Sequence, residues 1–194
     1  MFVMTVDQRG SRRGEDLVAG LIAELKGHPG LVRRFERTAG DEVQALLESA
    51  EHVVDVTLRL ARDDAWSIGI GAGPVRTPLP RSVRAGSGAA FEHARASVQR
   101  AKAAGPHVAV SGPDPVSAHD AEVLLALLAA VVQRRTAQGW QVVDLLSTGL
   151  TQKQVAERIG VTPQAVSQRA RVAMWQHEHE ARPLAARLLA EADR

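Results

Sequence analysis

The tightest constraint on this chain lies between Thr151 and Arg171, where a helix start, a helix stop and a second helix start are crowded together. Thr151-Gln152-Lys153-Gln154 has the spacing of a capping box: a threonine hydroxyl caps, and a glutamine three residues on reaches back. Val155, Ala156 and Ile159 then form an apolar face, and Gly160 stops the helix with a residue that tolerates positive φ. Thr162-Pro163 opens the next helix with a hydroxyl cap and a proline at the first position, where its missing N–H costs nothing. Two helices joined by so short a turn must nearly touch. Ala156 is small enough for that contact, and Val166 supplies the aliphatic anchor opposite it.

With residues 140–147 as a preceding helix, this pattern predicts a helix-turn-helix over about 138–174. Val166, Ala170, Ala173 and Met174 are expected to face inward. Gln164, Ser167, Gln168 and Arg171 then face outward, where glutamine suits adenine and arginine suits guanine. Lys153 and Thr162 fall where phosphate contacts are usual. Beyond Met174 the leucines Leu184, Leu188 and Leu189 read as more helix, so no β-wing is expected.

Upstream the patterning is different. Residues 2–6 form a short apolar strand ending at Asp7, and residues 15–27 carry apolar side chains at helical spacing. Residues 32–38 and 43–47 flank the turn Ala39-Gly40-Asp41-Glu42 as a hairpin. A helix over 49–62, a strand over 66–70, a helix carrying Phe91, Ala94, Val98 and Ala101, and a strand over 107–110 follow. The order β-α-β-β-α-β-α-β allows helices to cover one face of a mainly antiparallel sheet. Residues 71–88 read as a solvated loop, though Arg76, Arg81 and Arg84 could meet an anion. His177 and His179 are two apart, which on a helix does not make a zinc site.

Ser111-Gly112-Pro113-Asp114-Pro115 reads as a boundary, since the prolines and glycine cannot continue an element. The expected organisation is residues 1–112, a linker at 113–117, and a helical domain over 118–194. The helix over 118–138 is apolar on more than one side and is the expected dimer contact. Bulk numbers add exclusions. The net charge of +2 is too small to imply nucleic acid without a local basic face. There is no cysteine, which excludes disulfides and thiolate zinc. No signal-peptide core is visible, and the apolar run over 123–132 is about half a membrane span. A cytoplasmic protein without a membrane partner is expected.

Three segments together resemble the SatD family of bacterial proteins: Val6-Asp7 followed by Ser11-Arg12, the run Gly40-Asp41-Glu42-Val43-Gln44-Ala45-Leu46-Leu47, and Ser67-Ile68-Gly69-Ile70-Gly71. The C-terminal helix-turn-helix fits that family too. More distantly, the layout resembles the palm of class III nucleotidyl cyclases and GGDEF diguanylate cyclases. That resemblance implies Asp7 and Asp41 as a metal pair, with Glu42 as an alternative, and Ser11 and Arg12 as phosphate contacts. The implied cofactor is Mg²⁺ with a nucleotide, because hard cations take carboxylate and phosphate oxygens.

The expected fold class is α+β: a ferredoxin-like, palm-like antiparallel sheet domain followed by an all-α helix-turn-helix domain. The expected function is a DNA-binding transcriptional regulator acting as a homodimer on double-stranded DNA, its first domain serving ligand sensing or assembly. The alternative is a metal-dependent nucleotide-binding or nucleotidyl-cyclase-like enzyme. No catalytic residue is assigned.

Overall fold

A computed structural model describes residues 1–10 and 14–194. It is a mixed α+β structure with one five-stranded sheet and eight helices among those residues. The elements are β1 (Phe2–Gln8), α1 (Val18–Leu25), β2 (Leu31–Ala39), β3 (Glu42–Leu47), α2 (Ala50–Ala61), β4 (Trp66–Ala72), α3 (Ala89–Ala103) and β5 (Val108–Ser111). Then come α4 (Pro115–Gln133), α5 (Ala137–Ser147), α6 (Gln152–Ile159), α7 (Pro163–Val172) and α8 (Trp175–Ala192). The strand order is β2-β3-β1-β4-β5, with the β2–β3, β3–β1 and β1–β4 pairs antiparallel and the β4–β5 pair parallel.

Alternation along β1 divides the molecule. Phe2, Met4 and Val6 face a large core that takes in α1, α2, α4 and α8. Val3 faces the other way, into a smaller cluster with Leu46, Val83, Ala90 and Ala94. Helices thus cover both faces, which corrects the one-face expectation. The outlier is α3, and its position has a topological consequence. β3 and β4 are parallel to each other, because each is antiparallel to β1 between them. The connection through α2 steps from β3 to β4, and that through α3 steps from β4 to β5 in the same direction on the opposite face. Two such crossovers have opposite hands, so one of them takes the sense that parallel connections seldom adopt.

Glycines let α3 lie there. A Cβ at Gly71 would fall onto the Ala90 carbonyl oxygen and the Ala94 nitrogen, and one at Gly69 onto the Val98 nitrogen. Backbone meets backbone with no room for a methyl group. Gly71→Ala is expected to cost about 1–3 kcal/mol through overpacking, read as a lower urea midpoint. Gly20→Ala, on the open side of α1 with nothing within 4 Å, serves as the control and should not lower it.

The segment between β4 and α3 is largely exposed, as expected, but is anchored at two points. Val83 is buried, and Arg33 of β2 donates to the carbonyls of Pro80 (2.5 Å) and Leu79 (3.2 Å). Arg76, Arg81 and Arg84 point outward from it.

The boundary at Ser111–Pro115 is a helix start. Asp114 caps α4, accepting from the Val116 N–H at 3.0 Å, and Pro115 occupies the first turn. α4 therefore begins earlier than expected. It also ends earlier: Thr136 caps a new helix, accepting from the Gly139 N–H at 3.1 Å, so residues 118–138 are not one helix. The inner side of α4 (Ala118, Ala121, Leu125, Leu128, Ala129, Val132) joins α8 in the main core, so the packing does not divide at residues 113–117. By length and composition α4 is the one described helix able to cross a membrane. Its outer side leaves Val116, Val123 and Leu127 exposed.

Candidate nucleic-acid interface

Helices α5, α6 and α7 have a small core of their own: Val142, Val155, Ala156, Val166 and Ala170, with Leu145, Leu146, Ile159 and Trp175 around it. The local chemistry explains the geometry. Thr151 and Gln154 form the reciprocal capping box, the Gln154 N–H donating to the Thr151 hydroxyl at 3.3 Å and the Thr151 N–H to the Gln154 side chain at 2.9 Å. Gly160 takes a left-handed φ of 69°, and the Val161 N–H returns to the Ala156 carbonyl at 3.0 Å. Thr162 caps α7 through the Ala165 N–H at 3.2 Å.

Val166, Ala170 and Ala173 are buried as expected, but Met174 is not. It is 42% exposed and adopts a left-handed φ of 52°, forming the corner between α7 and α8. Gln164, Ser167, Gln168 and Arg171 are all exposed. Spacings of three and four residues put them on one side of α7. The Arg171 guanidinium donates to the Gln168 side-chain amide oxygen at 2.6 Å, which holds the two side chains together. Thr162 is exposed at the start of α7 and Lys153 in the first turn of α6.

Two further arginines, Arg134 and Arg169, lie beside this surface. A hollow of about 150 Å³ beside α7 is lined by Arg134, Arg169 and Gln168, among others. Arg169 lies next to Gln168 in sequence, and Arg134 is delivered by the break between α4 and α5. Over residues 137–174 the basic side chains are Lys153, Arg158, Arg169 and Arg171, against Asp144 and Glu157. Asp144 is already engaged by Arg62 of α2 at 3.0 and 3.1 Å. Over this stretch basic side chains thus outnumber acidic ones by two, and Arg134 lies beside them.

A chain of charges, buried at its inner end, supports the end of α7. Arg135 donates to the Ala173 carbonyl at 2.9 Å and to Glu178 at 3.2 Å, and these two side chains are 2% and 0% exposed. Glu178 also accepts from Arg182, which reaches Asp55 of α2 at 3.1 Å, and Asp55 meets His28 at 3.2 Å. Burial lowers the Arg135 proton affinity and the Glu178 carboxylate opposes that shift. Burial also works against the charge on Asp55. The His28 hydrogen bond and the Arg182 guanidinium outweigh it and hold that carboxyl below its ordinary value. This chain was missed in the sequence because its members are distant and each alone resembles a surface charge.

On the sheet, Asp7 lies within β1 rather than beyond it and is the register partner of Glu42. The Gln8 N–H donates to the Asp41 carbonyl at 3.3 Å, so the hairpin turn does lie beside the end of β1. The Asp7 carboxylate, however, is held by the Lys102 ammonium at 2.7 Å, and Glu42 accepts from the Thr38 hydroxyl at 2.6 Å. A divalent cation would have to displace Lys102. No group of three or more His, Asp or Glu side chains suited to a metal occurs among the described residues. Ser11 and Arg12 lie outside the described residues.

Comparison with family models, with curated proteins and with solved structures returned no match for this chain.

Proposed function

We propose that this chain is a cytoplasmic DNA-binding regulator that reads double-stranded DNA with α7. The observation that carries the reading is the outward side of α7: Gln164, Ser167, Gln168 and Arg171 lie exposed along one side of a helix braced from behind by its own core. A rigid rod with amide and guanidinium groups on its free side matches the donor and acceptor pattern of a major groove. Lys153 and Thr162 would meet phosphates. In the same reading the sheet half is palm-like and the chain sits with the SatD family. The strand order β2-β3-β1-β4 and the position of the β2–β3 hairpin favour that layout.

The protein would act as a homodimer, since one short helix reads few base pairs and two-fold pairing doubles the site. The outer side of α4 supplies an apolar contact: Val116, Val123 and Leu127 are 70%, 47% and 60% exposed and share one side of the helix. Sedimentation velocity should show a dimer that Leu127→Glu converts to a folded monomer.

Fluorescence anisotropy with the full chain and a labelled duplex tests the main reading. Binding should weaken as salt rises, because counterions are released from each neutralised phosphate. A titration with no binding at about 50 mM salt would count against α7 as a reader of DNA.

A further inference from the structure

A cleft of about 920 Å³ opens between α2 on the sheet side and α5 and α8 on the helical side. That volume suits a molecule of metabolite or cofactor size. Arg59, Arg62 and Arg182 line it, and so do Trp140 and Trp175. Aromatic side chains are scarce here, with three tryptophans, three phenylalanines and no tyrosine. Two of the three tryptophans border this one cleft, while Trp66 belongs to the sheet core.

The charges are not balanced evenly. The cleft's two carboxylates are already engaged, Asp144 by Arg62 and Asp55 by His28 and Arg182. Arg135, deeper in, is paired with Glu178. Arg59 has the slackest arrangement of the four arginines: its partner Glu24 is 3.7 Å away, and the two side chains are 49% and 57% exposed. An incoming anion could take Arg59 without breaking a buried pair. The Arg62 and Arg135 guanidinium groups lie 4.0 and 4.9 Å from the centre of the Trp140 ring, and the His179 ring lies 5.2 Å from that of Trp175, so cations and aromatic surface already alternate along the wall and a flat ring would extend that stack. Guanidinium groups bind carboxylates and phosphates through paired donors, and indole faces take flat rings.

We propose that this cleft binds a small planar organic anion, a ring bearing a carboxylate or a phosphate, with the anionic group at Arg59 and the ring along the tryptophan wall. The Arg62–Asp144 pair ties α2 to α5 across the same cleft. An occupant therefore sits where it can alter how the helix-turn-helix rests on the sheet. The binding itself does not depend on the DNA reading.

Isothermal titration calorimetry of the full chain tests this with four probes: salicylate, guanosine monophosphate, inorganic phosphate and benzyl alcohol. Salicylate or the nucleotide should saturate with a Kd below about 1 mM, and which of them does identifies the carboxylate or phosphate source. Phosphate without a ring and the ring without charge should each bind at least about tenfold more weakly. Arg59→Ala should weaken the binding probe by about tenfold while leaving the melting temperature unchanged. Failure of both ring-bearing anions to saturate, equal binding by phosphate or benzyl alcohol alone, or unaltered affinity in Arg59→Ala would each overturn the proposal.

Discussion

Glu178→Ala is expected to destabilise the folded chain by about 3–5 kcal/mol, because it leaves the Arg135 guanidinium buried without its counter-charge. Arg135 would keep its bond to the Ala173 carbonyl and its place over the Trp140 ring, neither of which supplies a negative charge, while its side chain is only 2% exposed. The same substitution releases Arg182, which then holds Asp55 alone. Urea unfolding followed by circular dichroism measures the loss. Replacing both partners, Arg135→Met with Glu178→Leu, should cost much less, since no orphaned charge remains. A double variant as unstable as Glu178→Ala would show that packing, not charge, sets the effect.

The network also gives stability a pH dependence of known sign. The Asp55 carboxyl is held below its ordinary 3.8 in the folded state. Its contribution is therefore complete above the unfolded-state value and is lost as the pH falls through the lowered one. Urea midpoints measured from neutrality down to about pH 2 should show a decline below about pH 4 that is shallower in Asp55→Asn. A decline of equal depth in the variant would assign the acid limb to other carboxylates.

Gln168→Ala with Arg171→Ala is expected to lower affinity for a preferred duplex by about a hundredfold, roughly tenfold for each base-edge contact removed. The two side chains are hydrogen-bonded to each other, so each single variant should also loosen its neighbour, and the losses should not simply add. Lys153→Ala should behave differently. A phosphate contact is blind to sequence, so affinity should fall alike for preferred and random duplexes, and the salt slope should shrink by about one. Both residues are exposed, so melting temperatures should stay near that of the parent chain. A folded double variant with unchanged anisotropy titrations would remove α7 as the reading element.

The short helices α6 and α7 were legible because their determinants are local. The cap at Thr151, the left-handed corner at Gly160 and the Thr162-Pro163 start each act within one turn of helix, so a short stretch of residues contains the whole cause. The strands and their order of appearance were legible for the same reason, through alternation and turn residues. Errors came where a local signal had two outcomes. Pro115 read as a breaker, yet in the first turn of α4 it costs no hydrogen bond. Thr136 was passed over as a cap because the apolar pattern ran on across it.

By itself, the sequence determined where α6 and α7 begin and end and which side of α7 is polar. Capping and periodicity are properties of neighbours along the chain. Only the tertiary structure decided that α3 crosses the far face of the sheet and that α4 and α8 complete the main core. It alone brought the buried pair Arg135 and Glu178 and the partly exposed Arg182 and Asp55 into one chain of charges. Those outcomes depend on contacts between residues far apart in sequence. No single segment carries the close approach at Gly69 and Gly71 or the pairing of buried charges, since each exists only once both partners are in place.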